Sequence, residues 1–295
     1  MHFNFRDLVL ALLCAFLGSI KGLLVNEVNS LGAIEIFGLR SIGATCFLLP
    51  IIIFSDSQLW YDAKCNLILF LRSVIGNIAV CGYYYGFVYL PISEASLLFY
   101  STPIFTIIIG RLFLKERCGV AELTSTTLSV LGLALVCVPN FSMNYSQSSI
   151  KGVSGCLIGA FAQAIALAII RKITHVPPVV VSFWWAVMGV VFSSVLCSVF
   201  NEMSLWKCGW EAVCVILISV VGFISELCLV SSLKSTGAVI VSVALTSEII
   251  WAFVLQMCVQ QQYPSLMTSL GGVAILISVS VPPVMKLTCK QDLNE

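Results

Sequence analysis

The sequence predicts an all-α polytopic membrane protein, with about ten transmembrane helices arranged as two inverted five-helix repeats. Of its 295 residues, 59% are hydrophobic and 10% are charged, and the mean hydropathy is +1.05. The apolar residues run in stretches of roughly 18 to 23, which is the length that a helix needs to cross a hydrocarbon core about 30 Å thick. Two parts of the chain also align with each other. A lipid bilayer is therefore the expected surrounding of this chain.

Apolar runs bounded by polar residues, proline or glycine define the individual spans. The first run, from Asp7 to Val25, is too long for the apolar region of a signal peptide and lacks a small-x-small cleavage site, so it is kept as a transmembrane helix. The ten predicted helices cover 7–25, 33–54, 66–88, 92–113, 119–139, 152–170, 178–200, 211–232, 237–259 and 265–285.

The longest polar connection, from Asn140 to Lys151, divides the chain into two halves. We predict a first five-helix repeat over 1–140, an outside loop over 141–151, a second and inverted repeat over 152–288, and a short cytoplasmic tail over 289–295.

The internal alignment supports this division. Residues 90–139 align with 233–282 without a gap, and the loop LFLKERCG of the first copy corresponds to LQMCVQQQ in the second. With five helices per half, the second copy enters the membrane in the opposite orientation, so its loop lies outside and is expected to lack cations. It does lack them. Inverted repeats are typical of secondary transporters, whose substrate site lies near the bilayer midplane.

The positions of lysine and arginine predict the orientation. With a cytoplasmic N-terminus, only Lys151 and Lys207 fall in outside loops, and all other cations outside the spans are inside. Both termini are therefore expected in the cytoplasm, with the plasma membrane and internal membranes equally open. The glycosylation sequons at Asn140 and Asn144 lie in a predicted outside loop, which agrees with this orientation.

Ionisable side chains within the spans are energetically expensive and are therefore candidates for function. Arg72 and Arg40 are the candidates for binding a carboxylate or phosphate group of a solute. For Arg72, the alternative is an ion pair with a glutamate on a neighbouring helix. Glu226 and Glu248 are candidates for proton or cation coupling, or for neutralising these arginines.

Three further charged residues have plainer interpretations. Lys21 lies near the outer end of its helix and is expected to extend its ammonium to water. Glu35 is expected to be a helix-boundary residue, and Glu94 a helix cap.

The fourth helix carries Ser101, Thr102 and Pro103 at mid-membrane, which predicts either a broken helix at a binding site or a packing kink. Ser101 and Pro103 are therefore candidate site residues. Tyr84, in the run of tyrosines on the third helix, is a candidate for lining a polar cavity, with interfacial anchoring as the alternative. Gly18–Gly22, Gly82–Gly86 and Gly155–Gly159 have the spacing of close helix packing.

Enzyme motifs are absent: the sequence has no P-loop, GxSxG, HExxH or dinucleotide fingerprint. We predict no enzymatic activity, no cofactor, no metal site and no nucleic-acid partner. Thirteen cysteines, mostly within apolar runs, are interpreted as packing residues. The expected partners are the lipid bilayer and a small-molecule solute.

The segment RSVIGNIAVCGYYYGFVYLPISEASLLFYSTPIFTIIIGRLFLKER resembles the drug/metabolite transporter superfamily of EamA type, and in particular the G subfamily of solute carrier family 35. EIFGLR, from Glu35 to Arg40, and TSEIIWAFVLQ, from Thr246 to Gln256, are similar to the second and ninth helices of that subfamily. The resemblance implies ten helices in two inverted repeats, a central cavity and alternating access.

The predicted function is secondary transport of a small polar metabolite, preferably an organic anion bearing a carboxylate, with proton or cation coupling as an option. The alternative is a non-transporting regulatory or interaction protein that keeps the same fold.

Overall fold

In a computed structural model, the chain is described over residues 5–26, 28, 30–55, 57–89, 98–114, 119–137, 147–200, 209–260 and 266–291, and every regular element in these ranges is helical. The helices are α1 (Phe5–Asn26), α2 (Ala33–Phe54), α3 (Ala63–Tyr89), α4 (Thr102–Phe113), α5 (Val120–Cys137), α6 (Gln147–Lys172), α7 (Pro178–Phe200), α8 (Trp210–Ser232), α9 (Ala238–Leu245), α10 (Glu248–Gln260) and α11 (Leu266–Gln291).

Within the described ranges, six helices, α1 to α3 and α6 to α8, are long and apolar enough to span a membrane, and four shorter apolar stretches accompany them. Together they correspond to the ten predicted spans. Large apolar side chains are exposed on the outside of the bundle, such as Phe54 and Leu112. A lipid-facing surface explains that exposure, since lipid removes the cost of apolar contact with water.

The helices differ from the predicted spans in three places. Helix α6 begins at Gln147 and not at 152, so the end of the predicted outside loop is helical. Helix α11 continues to Gln291 and takes up part of the predicted tail. The ninth span is not continuous, because α9 ends at Leu245 and α10 begins at Glu248.

The break in the ninth span has a counterpart in the fourth. Residues 98 and 99 are helical, 100 and 101 form a turn, and α4 restarts at Thr102 with Pro103 in its first turn. Proline is favoured there because it needs no hydrogen-bond acceptor for its nitrogen. The described part of the fourth span is thus interrupted at residues 100 and 101, which agrees both with a broken helix at a binding site and with a packing kink.

Both breaks carry a pair of hydroxyl side chains that bond to the backbone three residues earlier. Ser101 and Thr102 each donate to a carbonyl at 2.6 Å, and Thr246 and Ser247 do the same at 2.6 and 2.7 Å. These bonds satisfy carbonyls that a continuous helix would have used, and such local bonding favours a bend. The two repeats therefore share this pattern of hydroxyl-to-carbonyl hydrogen bonds at the break, although only the break in the fourth span contains a proline.

Helix contacts repeat between the halves. In the order of the spans, α1, α2 and α3 are equivalent to α6, α7 and α8. Helix α3 packs on α6, and the equivalent pair, α8 and α1, also packs together. Likewise α2 packs on α8, and the equivalent pair, α7 and α3, packs together. Helices α2 and α7 pack on each other, as do α5 and α11. Exchanging each helix for its equivalent in the other half thus preserves the contact pattern, which is the property of a pseudo-twofold axis. With an odd number of spans per repeat, that axis makes the repeats inverted.

Glycines permit the closest of these contacts. A methyl group on Gly82 of α3 would lie 2.6 Å from the carbonyl oxygen of Gly155 and 2.9 Å from the Cα atom of Gly159, both on α6. The packing interpretation of Gly82, Gly155 and Gly159 is therefore confirmed. It is wrong for Gly18 and Gly22: Gly18 faces the side chain of Glu248, and nothing lies within 4 Å of a methyl group on Gly22.

The two ends of the bundle are closed differently. At the end where α1 begins, one continuous apolar cluster includes side chains from α1, α3 and α6 to α9, such as Leu8, Leu69 and Leu233. Toward the other end, the described residues form separate clusters, one around Ile218 and another around Cys156. The halves are therefore joined more continuously at the end that begins with α1.

Candidate substrate cavity

A cavity of about 460 Å³ lies between the two halves of the bundle, and residues from both repeats line it. Most of the lining is apolar or aromatic, and five charged side chains of the described residues interrupt it. This volume is within the range of about 300–1,000 Å³ that small-molecule sites occupy. The charged residues in the lining are Lys21, Arg40, Arg72, Glu226 and Glu248.

Arg72 and Glu226 form a buried ion pair between α3 and α8, in which an Nη2 hydrogen is donated to the carboxylate. Arg72 is 3% exposed and Glu226 is 8% exposed. Of the two interpretations of Arg72, the ion pair with a neighbouring helix is thus present. Glu226 is the acid that neutralises Arg72.

Both arginines lie over the same tryptophan. The guanidinium carbon of Arg40 is 4.8 Å from the ring centroid of Trp185, and that of Arg72 is 5.7 Å from it. Arginine favours an aromatic face because the ring quadrupole attracts the cation. Asn77 of α3 holds the backbone of Trp185 by donating to its carbonyl oxygen at 3.3 Å, so α3 and α7 are tied together next to the ring.

The arginines have unused hydrogen-bonding capacity. Nε of Arg40, and Nε and Nη1 of Arg72, are buried and have no hydrogen-bond partner among the described residues. Arg40 is 5% exposed and, within those residues, has no carboxylate partner. Buried donors without partners are unfavourable and are therefore sites where a ligand acceptor can gain binding free energy.

Small residues make room for these large side chains. A methyl group on Gly222 of α8 would lie 2.6 Å from Nε of Arg40, and one on Gly76 of α3 would lie 3.0 Å from Nε1 of Trp185. The Arg40 and Trp185 side chains can reach their places because Gly222 and Gly76 have no side chain.

A second polar group lies elsewhere in the lining, where α1 meets the break between α9 and α10. It contains Lys21 of α1, Tyr100 and Glu248, the first residue of α10. Within the described residues, no basic nitrogen lies within 4 Å of the Glu248 carboxylate. Lys21, which was expected to extend its ammonium to water near a helix end, lines the cavity.

The other predicted site residues are distributed differently. Ser101 and Pro103 stand next to the break of α4 but do not line the cavity, which is lined there by Tyr100 and Thr102. Glu35 is at a helix boundary as expected, and its carboxylate accepts a hydrogen bond from the Gly32 amide at 2.8 Å. The side chain of Tyr84, and the whole of Glu94, Asn140 and Asn144, lie outside the described residues.

Sequence reasoning missed the residues between the charged groups. Trp185 and Tyr100 lie in apolar runs and are ordinary packing residues by pattern alone. The signal for Trp185 was its depth, since tryptophan prefers the membrane interface. Among the described residues, no cluster of three or more histidine, cysteine or acidic side chains is suited to hold a metal ion.

The fold and this site define the class: a polytopic membrane protein of two inverted repeats with a charged cavity between them. The profile of the EamA-like transporter family matches residues 6–138 and 150–281. The chain belongs to that family, and it is an integral membrane transporter, not an enzyme.

Similar proteins agree with this assignment. The chain is 28% identical to mouse (Mus musculus) solute carrier family 35 member G1, over 91% of this chain and 75% of that protein. It is 29% identical to the pseudopaline exporter CntI of Pseudomonas aeruginosa (strain UCBPP-PA14), over 92% of this chain and 93% of that protein. A solved crystal structure has the same fold with a TM-score of 0.81, at 14% sequence identity, over 96% of this chain and 98% of that one.

Proposed function

We propose that this transporter moves a small organic anion bearing a carboxylate by alternating access, with Arg40 and Arg72 as its anion-binding residues. The observation that carries the proposal is the pair of arginines over Trp185 with three buried N–H groups that have no partner among the described residues. A carboxylate is planar and accepts parallel hydrogen bonds from such groups.

The charge of the cavity supports an anionic solute. Among the described residues, its lining holds three cations, Lys21, Arg40 and Arg72, and two carboxylates, Glu226 and Glu248, which leaves a formal net charge of +1. An uncompensated charge in a low-dielectric environment is unfavourable, so a bound anion is stabilised.

Arg40 is the stronger of the two binding residues. Arg72 uses one of its amino groups on Glu226, whereas Arg40 faces the Trp185 ring and has no acid within 4 Å among the described residues. We therefore expect Arg40 to contribute most of the affinity and Arg72 to hold the site in shape as well as to bind.

For the orientation we propose that both termini face the cytoplasm. Ten cations fall on that side and two on the other. The contacts that support a common end are those of Asp7 with Thr236 at 3.4 Å, of Tyr61 with His175, and of Arg171 with the Leu233 carbonyl at 3.0 Å.

The test is uptake of labelled mono- and dicarboxylates, a nucleotide sugar and an organic cation by purified protein in proteoliposomes. We expect carboxylate uptake, at least tenfold lower in Arg40→Gln, which keeps a polar side chain without the charge. Arg111→Gln is the matched control, because Arg111 is exposed at the end of α4. Uptake of the cation alone, or equal carboxylate uptake by Arg40→Gln and Arg111→Gln, would contradict the proposal. Solute binding without uptake would favour a regulatory protein that keeps the fold.

A further inference from the structure

We propose that Glu248 is the proton-binding residue of this transporter, so that a dicarboxylate crosses the membrane together with one proton. The inference rests on the proposed anion transport and adds to it the charge of the substrate and the coupling ion.

The two acids of the cavity are not equivalent. Glu226 is 8% exposed and bonded to Arg72, so a proton on Glu226 would break a buried ion pair. Glu248 is half-buried and is exposed toward the cavity that it lines, and no cation lies within 4 Å of it among the described residues. Only Glu248 can gain and lose a proton without breaking an ion pair.

The surroundings of Glu248 support both of its protonation states. The ionised form is stabilised by the position of Glu248 at the N-terminus of α10, where the helix dipole favours negative charge, and by the Lys21 ammonium in the same cavity. The protonated form is stabilised by the apolar lining around it. Tyr100 lines the same cavity, and a tyrosine hydroxyl is able to donate to an ionised carboxylate and to accept from a protonated one.

Other titratable groups share the cavity with Glu248. Among the described residues, these are Cys14 and Lys21 of α1, Arg40, Arg72, Tyr83, Tyr100 and Glu226. Helix α11, which also packs against α10, carries no titratable residue over 266–281. Protonation of Glu248 is therefore governed by the groups that line the cavity and by the solute itself.

Charge balance connects the proton to the solute. With Glu248 ionised, the described residues that line the cavity carry a net charge of +1, which a monoanion neutralises. A dianion leaves a net charge of −1, and one proton on Glu248 restores neutrality. Because net charge is costly in the low-dielectric part of the membrane, the neutral complex is the one that reorients most readily. The proton enters from water on the loading side, binds a carboxylate oxygen of Glu248 and leaves to water on the other side.

Gly18 provides a test that removes no charge. A methyl group on Gly18 would lie 2.3 Å from a carboxylate oxygen of Glu248, so Gly18→Ala must displace that carboxylate from its position against α1. Gly22→Ala adds the same methyl group one turn further along α1, where nothing lies within 4 Å. The two variants share helix, composition and charge, and they differ in the contact with Glu248.

The experiment measures uptake of labelled succinate into proteoliposomes of the full chain, with the membrane potential clamped at zero and a pH difference imposed. One coupled proton predicts that steady-state accumulation rises about tenfold for each unit by which the outside is more acidic, the equivalent of about 1.4 kcal/mol. We expect this rise in the wild type and in Gly22→Ala, and its loss in Glu248→Gln and Gly18→Ala. For both acids, uptake into protein-free liposomes is subtracted, because undissociated short-chain acids cross the bilayer unaided. The remaining protein-dependent uptake of labelled propionate, a monocarboxylate, should show no such rise.

The outcomes separate the two proposals. Succinate uptake that ignores the pH difference in the wild type, or that keeps its response in Glu248→Gln, overturns the proton role and leaves anion transport standing. No uptake of either acid under any gradient overturns both. Should Gly18→Ala fail to fold, Glu248→Gln and propionate still decide the matter.

Discussion

The buried ion pair between Arg72 and Glu226 allows a quantitative prediction about stability. Both side chains are withdrawn from water, so removing one leaves the other as an unpaired buried charge, at a cost of about 3–5 kcal/mol. For a domain of this size, that corresponds to a decrease in Tm of roughly 6–20 °C. Arg72→Met and Glu226→Leu should each show this decrease.

The two single variants should differ from each other. Glu226→Leu leaves Arg72 and Arg40 over the same Trp185 ring with no acid paired to either, so it should be the less stable of the two. In the double variant, apolar side chains of similar volume replace the pair, and the Tm should return to within a few degrees of the wild type.

Thermal unfolding of the purified variants in detergent, followed by circular dichroism at 222 nm, measures these differences. Arg111→Met is the matched control, since Arg111 is exposed and within the described residues has no acidic partner within 4 Å. The two single losses sum to about 6–10 kcal/mol and the double variant regains nearly all of that, so the double-mutant cycle should give a coupling energy of about 5–9 kcal/mol. This is above the usual range for residues in contact, because each single variant leaves a buried charge unpaired. Additive effects of the two single variants would refute a direct interaction between Arg72 and Glu226.

Three further predictions concern glycines and one end of the bundle. Gly82→Ala should lower the Tm, at a cost of about 1–3 kcal/mol, because its methyl group meets the backbone of α6. Gly272→Ala, whose methyl group has nothing within 4 Å, should leave the Tm unchanged. Equal melting temperatures of the two variants would contradict the α3–α6 contact. Gly222→Ala should raise the KM for the transported anion about tenfold with a smaller change in kcat, because its methyl group displaces Arg40. An unchanged KM would argue against Arg40 as a binding residue. Asp7→Ala should accelerate hydrogen exchange of the backbone amides over 233–237, since Asp7 accepts hydrogen bonds from Ser235 and Thr236. Asp62→Ala, at an exposed position, is the control. Identical exchange in both variants would exclude a role of Asp7 in closing this end of the bundle.

The sequence was a good guide to the charged residues but not to their partners. It marked Arg72, Glu226 and Glu248 because each stands within an apolar run, where a charge is expensive. Which acid pairs with Arg72 could not be read from it, since Arg72 and Glu226 are 154 positions apart. The same holds for Lys21, whose distance from the helix end suggested contact with bulk water, whereas packing turns it into the cavity.

The sequence alone determined the class of this protein, the number of its spans and the inverted repeat. Those properties depend on the length of each apolar run and on the side of the membrane that holds the cations, and both are local features of the chain. The tertiary structure decided three other features: the break at Thr246 and Ser247, the placement of two arginines over one tryptophan, and the contact of Glu248 with Gly18. Each of these depends on which helix faces which, and that is set by packing between distant parts of the chain.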